Sequence, residues 1–591
     1  MQRLSQYVVS VIFTPLIIFF CINLSPIKTS EEELQANNSL RLFDSTSILV
    51  NNKLIEMTLR EKIAQMIISN ATGEDYDENS AEYKRLIRLC EQTKVGGFIF
   101  FKGTSNGYTN LSNKLQSLSK TPLLISSDFE RGPGMRVIDC TVFPNNMAIG
   151  ATRNSELAYK MGYLIALESK ALGVNQDYAP VCDVNNNPNN PIINVRSFGE
   201  DADLVSAMSE AEIRGLQDGK VIATAKHFPG HGDTEIDSHN DLPVLNFSMD
   251  RLSKIELVPF KNAIHHDVMS VMVAHLSFPE LEDKPNVPAS LSKNVVEGLL
   301  IDKLGFNGLI VTDALNMNGI TKYFTTEQVA VMCVEAGIDL ILMPINEEQS
   351  LNAIEDAVHN GLISEERINR SVEKILKAKE WLGLFDNKYV DVNQLDTKIK
   401  TQEALDLSQQ IADESITLVK DEFNYVPLLE NSKNGGILIF NLSAGDEDIN
   451  SSYFNSKSND FFPNQKIIEV NSELNPELID NYLKIASDYN AVIVAVYVKV
   501  RHGSGTISIL PSQTKLIDSL VDNKIKLIVI SFGNPYLLSE FHAVPNYICA
   551  YGDADVSINA ALKAITGSIH FKGKLPVSIN DEYKFGSGII K

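Results

Sequence analysis

Cysteine is scarce and scattered in this chain of 591 residues. Five of the six, Cys90, Cys140, Cys182, Cys333 and Cys549, lie far apart, and no two form a Cys-x-x-Cys pair. That pattern indicates neither a zinc site nor a disulfide framework. Positive charge is short as well: 52 Lys and Arg stand against 75 Asp and Glu, for a net charge of -23. A field of that sign repels phosphate, which argues against nucleic acid or an anionic membrane surface as the main partner. Internal repeats and low-complexity tracts are missing, so a repeat architecture is not indicated. One uncharged, largely apolar run, Tyr7 to Leu24, follows Arg3 and precedes Glu31-Glu32-Glu33. A positive start before an apolar middle resembles a secretory signal, with an uncleaved single-helix anchor as the alternative. Cys21 follows Phe19 and Phe20, which are bulky where a lipidation site needs small residues. The expectation is an exported protein, periplasmic or associated with the cell envelope, in which residues 1–28 are a signal peptide or membrane anchor.

What is present is an ordinary folded composition, 44% apolar and 21% charged, in a chain long enough for two or three domains. Thr58 followed three residues later by Glu61 predicts a helix start. Short apolar runs then alternate with helix-like segments, and strands are expected at 65–69, 95–101, 123–128, 175–183, 223–227, 270–275, 308–313 and 339–344. Eight strands alternating with helices suit a (β/α)8 TIM-type barrel, although a doubly wound sheet also alternates. Asp128, Asp183, Lys226 with His227, His275 and Asp313 fall at the downstream strand ends, the face on which barrel active sites are built. The barrel is expected over 45–386 and a linker over 387–410. Within 403–419 a helix leads toward a smaller α/β layered sandwich over 411–591, with strands at 436–442, 491–498, 525–532 and 547–550.

The densest chemistry lies in Lys226-His227-Phe228-Pro229-Gly230-His231-Gly232-Asp233-Thr234-Glu235-Ile236-Asp237-Ser238-His239. Three histidines, a lysine and three aspartates and glutamates occupy a loop that has no packing reason to collect them. A single histidine is more often structural than catalytic, so the argument rests on the cluster. Asp313 ends an apolar strand, suitable geometry for a nucleophile, and Asp237 two residues before His239 can orient the imidazole and hold its proton. His231 and Asp233 read as residues that shape the loop around Gly230 and Gly232.

These stretches, with Asp183-Val184-Asn185-Asn186-Asn187-Pro188-Asn189-Asn190-Pro191 and Arg196-Ser197-Phe198-Gly199, resemble the family 3 glycoside hydrolases. Within the family the resemblance is to β-N-acetylglucosaminidases of the peptidoglycan-recycling type. It is strong over about residues 50 to 385 and weaker in the second domain, through 410–419 and 573–577. The resemblance implies Asp313 as nucleophile and His239, oriented by Asp237, as general acid/base. It further implies Asp128, Arg136, Arg196, Lys226 and His227 as ligands of the sugar's hydroxyls, and no metal or cofactor. The partner it implies is a carbohydrate with a terminal β-linked N-acetylglucosamine, acted on by a monomer that meets a membrane only through its N-terminal segment.

Retaining glycosidases usually carry two carboxylates about 5–5.5 Å apart. Here a histidine, with an unperturbed pKa of about 6.5, replaces the second one. The chain departs from the commoner family pattern at Arg131 and Pro133, which leaves Arg131 as either a loop-shaping or a surface ion-pair residue. Arg501-His502-Gly503-Ser504-Gly505 lacks a P-loop lysine and reads as a loop near the barrel mouth. Competing readings are a family 3 β-glucosidase or xylosidase, an N-acetylglucosaminide phosphorylase, and a non-catalytic carbohydrate-binding scaffold.

Overall fold

Thr58 and Glu61 form the capping box that their spacing predicts: Thr58 Oγ1 accepts from the Glu61 N–H, and a Glu61 carboxylate oxygen accepts from the Thr58 N–H at 3.0 Å. The helix they start, Leu59–Gln65, feeds the first strand of a parallel sheet. The computed structural model describes residues 42–235, 241–428, 436–445, 449–498 and 507–591. Strands β1 (Ile67–Gly73), β2 (Gly97–Gly103), β3 (Leu124–Ser127), β4 (Gln176–Asp177), β5 (Ile222–Phe228), β6 (Ser270–Val273), β7 (Leu309–Thr312) and β8 (Ile341–Leu342) pair in sequence order, and β8 returns to β1. A parallel bridge from Val311 to Leu340 joins the two ends of the sheet. The result is the expected eight-stranded barrel. Its strands are almost wholly buried because helices cover the outside, which is why they read as continuous apolar runs.

Strand β4 is much shorter than the expected 175–183. Pro180 has no N–H to donate to a ladder, and pairing resumes only at Val181, which bridges to Lys226. The segment expected as one helix over 403–419 ends at Ser415, and Ile416-Thr417-Leu418-Val419, rich in β-branched residues, enters strand β9 (Thr417–Asp421) instead.

The second sheet adds β10 (Ile437–Ser443), β11 (Gln465–Val470), β12 (Ala491–Tyr497), β13 (Leu527–Ser531) and β14 (Asn546–Cys549), in the order β11-β10-β12-β13-β14-β9, with only β9 antiparallel. Alternate residues face two apolar layers. Leu438, Phe440, Val494 and Val529 pack with Leu516 and Leu520 on one side, and Ile439, Ile493 and Ile528 with Ile558 and Leu562 on the other. The first layer continues into Met147, Ala148 and Ala151, on the short helix Asn146–Thr152 of the barrel domain, and into Val195 in the turn Asn194–Arg196. The two sheets are therefore joined by a shared apolar seam on the barrel's mouth side. Among the described residues no helix is long and apolar enough to cross a membrane.

Candidate active site

The loop after β3 carries Asp128 and Glu130 on either side of a buried phenylalanine. Asp177, at the end of β4, accepts the Phe129 N–H at 2.9 Å and so fixes the backbone between the two acids. Lys226, near the end of β5 and only 2% exposed, donates to Asp128 at 2.8 Å and lies 2.8 Å from Glu130. Arg196 meets Glu130 in a two-pronged pair, at 2.9 and 2.6 Å, and its third nitrogen donates to the Ile192 carbonyl. Bidentate pairing of this kind fixes direction as well as distance. Arg136 stands 3.7 Å from Asp128 and over the face of Phe101.

Burial works against every charge in this group, and the neighbours decide the outcome. For Lys226 the attraction of Asp128 and Glu130 outweighs burial, and its pKa is raised. For Glu130, Arg196 and Lys226 overcome burial and hold the carboxyl well below the usual range. Asp128 is likewise lowered, against burial, by Lys226 and Arg136. The cluster is ionised at neutral pH. The buried Asp177 behind it moves the other way, pushed by burial up to about 8.

Asp183, six residues beyond β4, organises the opposite wall. One of its oxygens meets His227 Nδ1 at 2.7 Å, and the other accepts the N–H groups of His227 and His231, at 3.2 and 2.7 Å. With Nδ1 bound to a carboxylate, His227 keeps Nε2 for the cleft. His231 is buried, and burial followed by the neighbouring His227 lowers its pKa to about 4, so it is a neutral imidazole. Thr234 lies 3.2 Å from its ring, and Asp233 is tied to Asn187 and Arg251, as loop-shaping residues would be. Gly232 has a steric reason: a Cβ there would lie 1.8 Å from the Val184 carbonyl oxygen.

Asp313 follows β7 with its N–H donated to the Val273 carbonyl at 2.9 Å and its Oδ1 accepting from Ala314 N–H at 2.8 Å. It is half-buried. His275, expected among the strand-end polar residues, is fully buried and does not line the cleft. Its ring nitrogens meet Ser290 Oγ and the Ala314 carbonyl, so it supports the Asp313 loop from behind.

Asp128, Arg136, Arg196, Lys226, His227 and Asp313 thus line one cleft of about 230 Å³, walled on its apolar side by Ile192, Ile193, Met272, Met317 and Met343. Asp237 and His239 lie outside the described residues, as does 501–505. Glu130 was not among the expected ligands although it holds two of them. The signal available was its position two residues beyond Asp128, on the cleft side of the same loop. Asp183 was legible as a strand-end acid but not as the partner of His227. Arg131 is half-buried, and burial lowers its pKa against the opposing attraction of Asp553 in the second domain.

Comparison with known proteins gives two family matches: "Glycosyl hydrolase family 3 N terminal domain" over residues 58–378 and "Glycosyl hydrolase family 3 C-terminal domain" over residues 416–585. The chain is 27% identical over 548 residues to a β-N-acetylglucosaminidase/β-glucosidase of Cellulomonas fimi, covering 89% of this chain and 95% of the other. Among solved structures, a family 3 β-N-acetylglucosaminidase from Paenibacillus sp. str. FPU-7 is 33% identical with a TM-score of 0.78, over 89% of this chain and 99% of that one. A β-glucoside phosphorylase is 26% identical with a TM-score of 0.82, over 92% and 98%.

Proposed function

The chain belongs to family 3 of the glycosyl hydrolases, and from that premise we propose that it is a retaining, exo-acting β-N-acetylglucosaminidase. The observation that carries the reading is the ionised fork of Asp128, Lys226, Glu130 and Arg196 in one small cleft with Asp313. Such a fork offers charged donors and acceptors at fixed directions to a ring of hydroxyls. The cleft's modest volume favours one terminal sugar over an internal stretch of chain. Two of the similar proteins carry N-acetylglucosaminidase in their names.

In this reading Asp313 attacks the anomeric carbon and the glycosidic C–O bond breaks, leaving a glycosyl ester on Asp313. His239, entering as imidazolium beside Asp237, gives its proton to the departing oxygen. The neutral imidazole then takes a proton from water, whose oxygen attacks the same carbon and frees the carboxylate. Two displacements return the original β configuration. The substrates are terminal β-linked N-acetylglucosaminides of muropeptide or chitin type, and the apolar run at 7–24 serves export. Amino-terminal sequencing of the protein recovered from the cell envelope tests export: a start near residue 28 marks cleavage, and recovery from the cytoplasm alone contradicts it.

Turnover of nitrophenyl N-acetylglucosaminide well above nitrophenyl glucoside is the expected result, and activity confined to the glucoside refutes the sugar assignment. A second reading, phosphorolysis, is favoured by the likeness to the β-glucoside phosphorylase. A neutral imidazole repels incoming phosphate less than a carboxylate does. Sugar 1-phosphate formed at raised phosphate supports it, and its absence leaves hydrolysis.

A further inference from the structure

We infer that the second domain is a positioning element of the sugar site, acting through Tyr536 on the loop that carries Asp183 and Arg196. This rests on the proposed function only for the choice of sugar. Asn185 donates from Nδ2 to the Tyr536 hydroxyl at 2.9 Å, and both residues are buried. Nine residues on, Asn194 donates to Asn534 Oδ1 at 3.4 Å, and the same oxygen accepts the Tyr536 N–H. Asn194 has φ of 39°, in the left-handed region that asparagine enters more readily than most residues, and it begins the tight turn that ends at Arg196. Val195 is packed in an apolar layer of the second sheet. Beyond Arg196, the Glu200 carboxylate accepts the N–H and hydroxyl of Ser578, at 2.7 and 2.5 Å.

The loop is therefore gripped by the other domain at four points along 185–200. The two groups that set the cleft belong to this stretch: Asp183, two residues before the first anchor, orients His227, and Arg196, between the Val195 and Glu200 anchors, is locked to Glu130. Ser197 Oγ closes the loop on itself by donating to the Asp183 carbonyl at 2.6 Å. Nothing of Tyr536 itself lines the cleft, so its action is through the loop. Removing the hydroxyl leaves the buried Asn185 amide without its acceptor, and the loop must shift to satisfy it. A displacement well under 1 Å turns the Arg196 fork away from the hydroxyls it would meet.

The test uses the full chain with Tyr536→Phe, measuring kcat, KM and Tm on whichever of nitrophenyl N-acetylglucosaminide and nitrophenyl glucoside the wild type cleaves. The expected result is a fall in kcat/KM of about tenfold, carried mainly by KM. Ile493→Ala, a core change in β12 in the apolar layer on the other face of the second sheet, is expected to lower Tm at least as much with KM unchanged. Ser578→Ala, which takes the hydroxyl from the Glu200 anchor and from the Phe585 N–H that it also accepts, is the second variant and is expected to raise KM in the same direction. A wild-type KM in both Tyr536→Phe and Ser578→Ala, or an equal KM rise in Ile493→Ala, overturns the inference. Failure of the wild type on the N-acetylglucosaminide would instead refute the sugar assignment, and the same comparison on the glucoside would still decide the positioning role.

Discussion

Glu130 accepts from Arg196 through two bonds and from Lys226 through a third, in a pocket from which water is largely excluded. Glu130→Gln takes the carboxylate from Arg196 and leaves the buried Lys226 with Asp128 alone. Breaking a buried ionic group by removing one partner costs about 3–5 kcal/mol of stability, so Tm is expected to fall, and kcat/KM is expected to fall by about 10²-fold as Arg196 and Lys226 lose the carboxylate that directs them. Steady-state kinetics beside thermal unfolding reads both. Asp177 gives a pH-dependent prediction. Its unfolded carboxyl titrates near 3.8 and its folded one near 8. Between those values the folded chain holds a proton that the unfolded chain has shed, so the stability this group contributes is lost as pH rises through the window. Asp177→Asn keeps the acceptor for Phe129 and has no proton to lose, so its Tm should gain on the wild type as pH goes from about 5 to about 9. A constant difference would contradict the raised value. At His239 the test is the leaving group. His239→Ala should cost about 10²–10⁴ on substrates whose aglycone needs a proton and far less on activated nitrophenyl glycosides, and equal losses would refute the acid role.

Barrel strands and their downstream ends were legible because parallel strands covered on both faces leave long apolar runs that stop at a polar residue. Lys226 after Ala223-Thr224-Ala225 and Asp313 after Leu309-Ile310-Val311-Thr312 show the pattern. Strand β11 was not, because Gln465-Lys466-Ile467-Ile468-Glu469-Val470 is an edge strand in which only Val470 is fully buried, and its pattern suits no single period. Strand β9 was hidden by the helix that runs straight into it. Glu130 and the Asp183–His227 pair escaped for another reason: a carboxylate becomes a site residue only when strands distant in sequence bring cations to it. The loop after β5 makes an element-scale prediction. Gly232→Ala forces a Cβ against the Val184 carbonyl, one residue from Asp183. Separating these two loops by about 1 Å should lower kcat/KM by about 10²-fold while the barrel still folds, which circular dichroism and kinetics together would show.

At the scale of the whole molecule, the apolar seam through Met147, Ala148, Ala151 and Val195 makes the second domain part of the barrel's mouth rather than an appendage. Truncation before β9 would leave that seam in water, and the expected outcome is a barrel that binds a hydrophobic dye and loses most of its turnover. The central claim, a covalent glycosyl-enzyme on Asp313 formed and broken with His239 as acid and base, is tested most directly by acid-quenching the enzyme during turnover of an N-acetylglucosaminide and mapping the modified peptide by mass spectrometry. A single N-acetylglucosaminyl group on the peptide carrying Asp313, absent from Asp313→Ala, is the result expected. A glycosyl group on another residue, or an unmodified enzyme releasing the inverted anomer first, would contradict it.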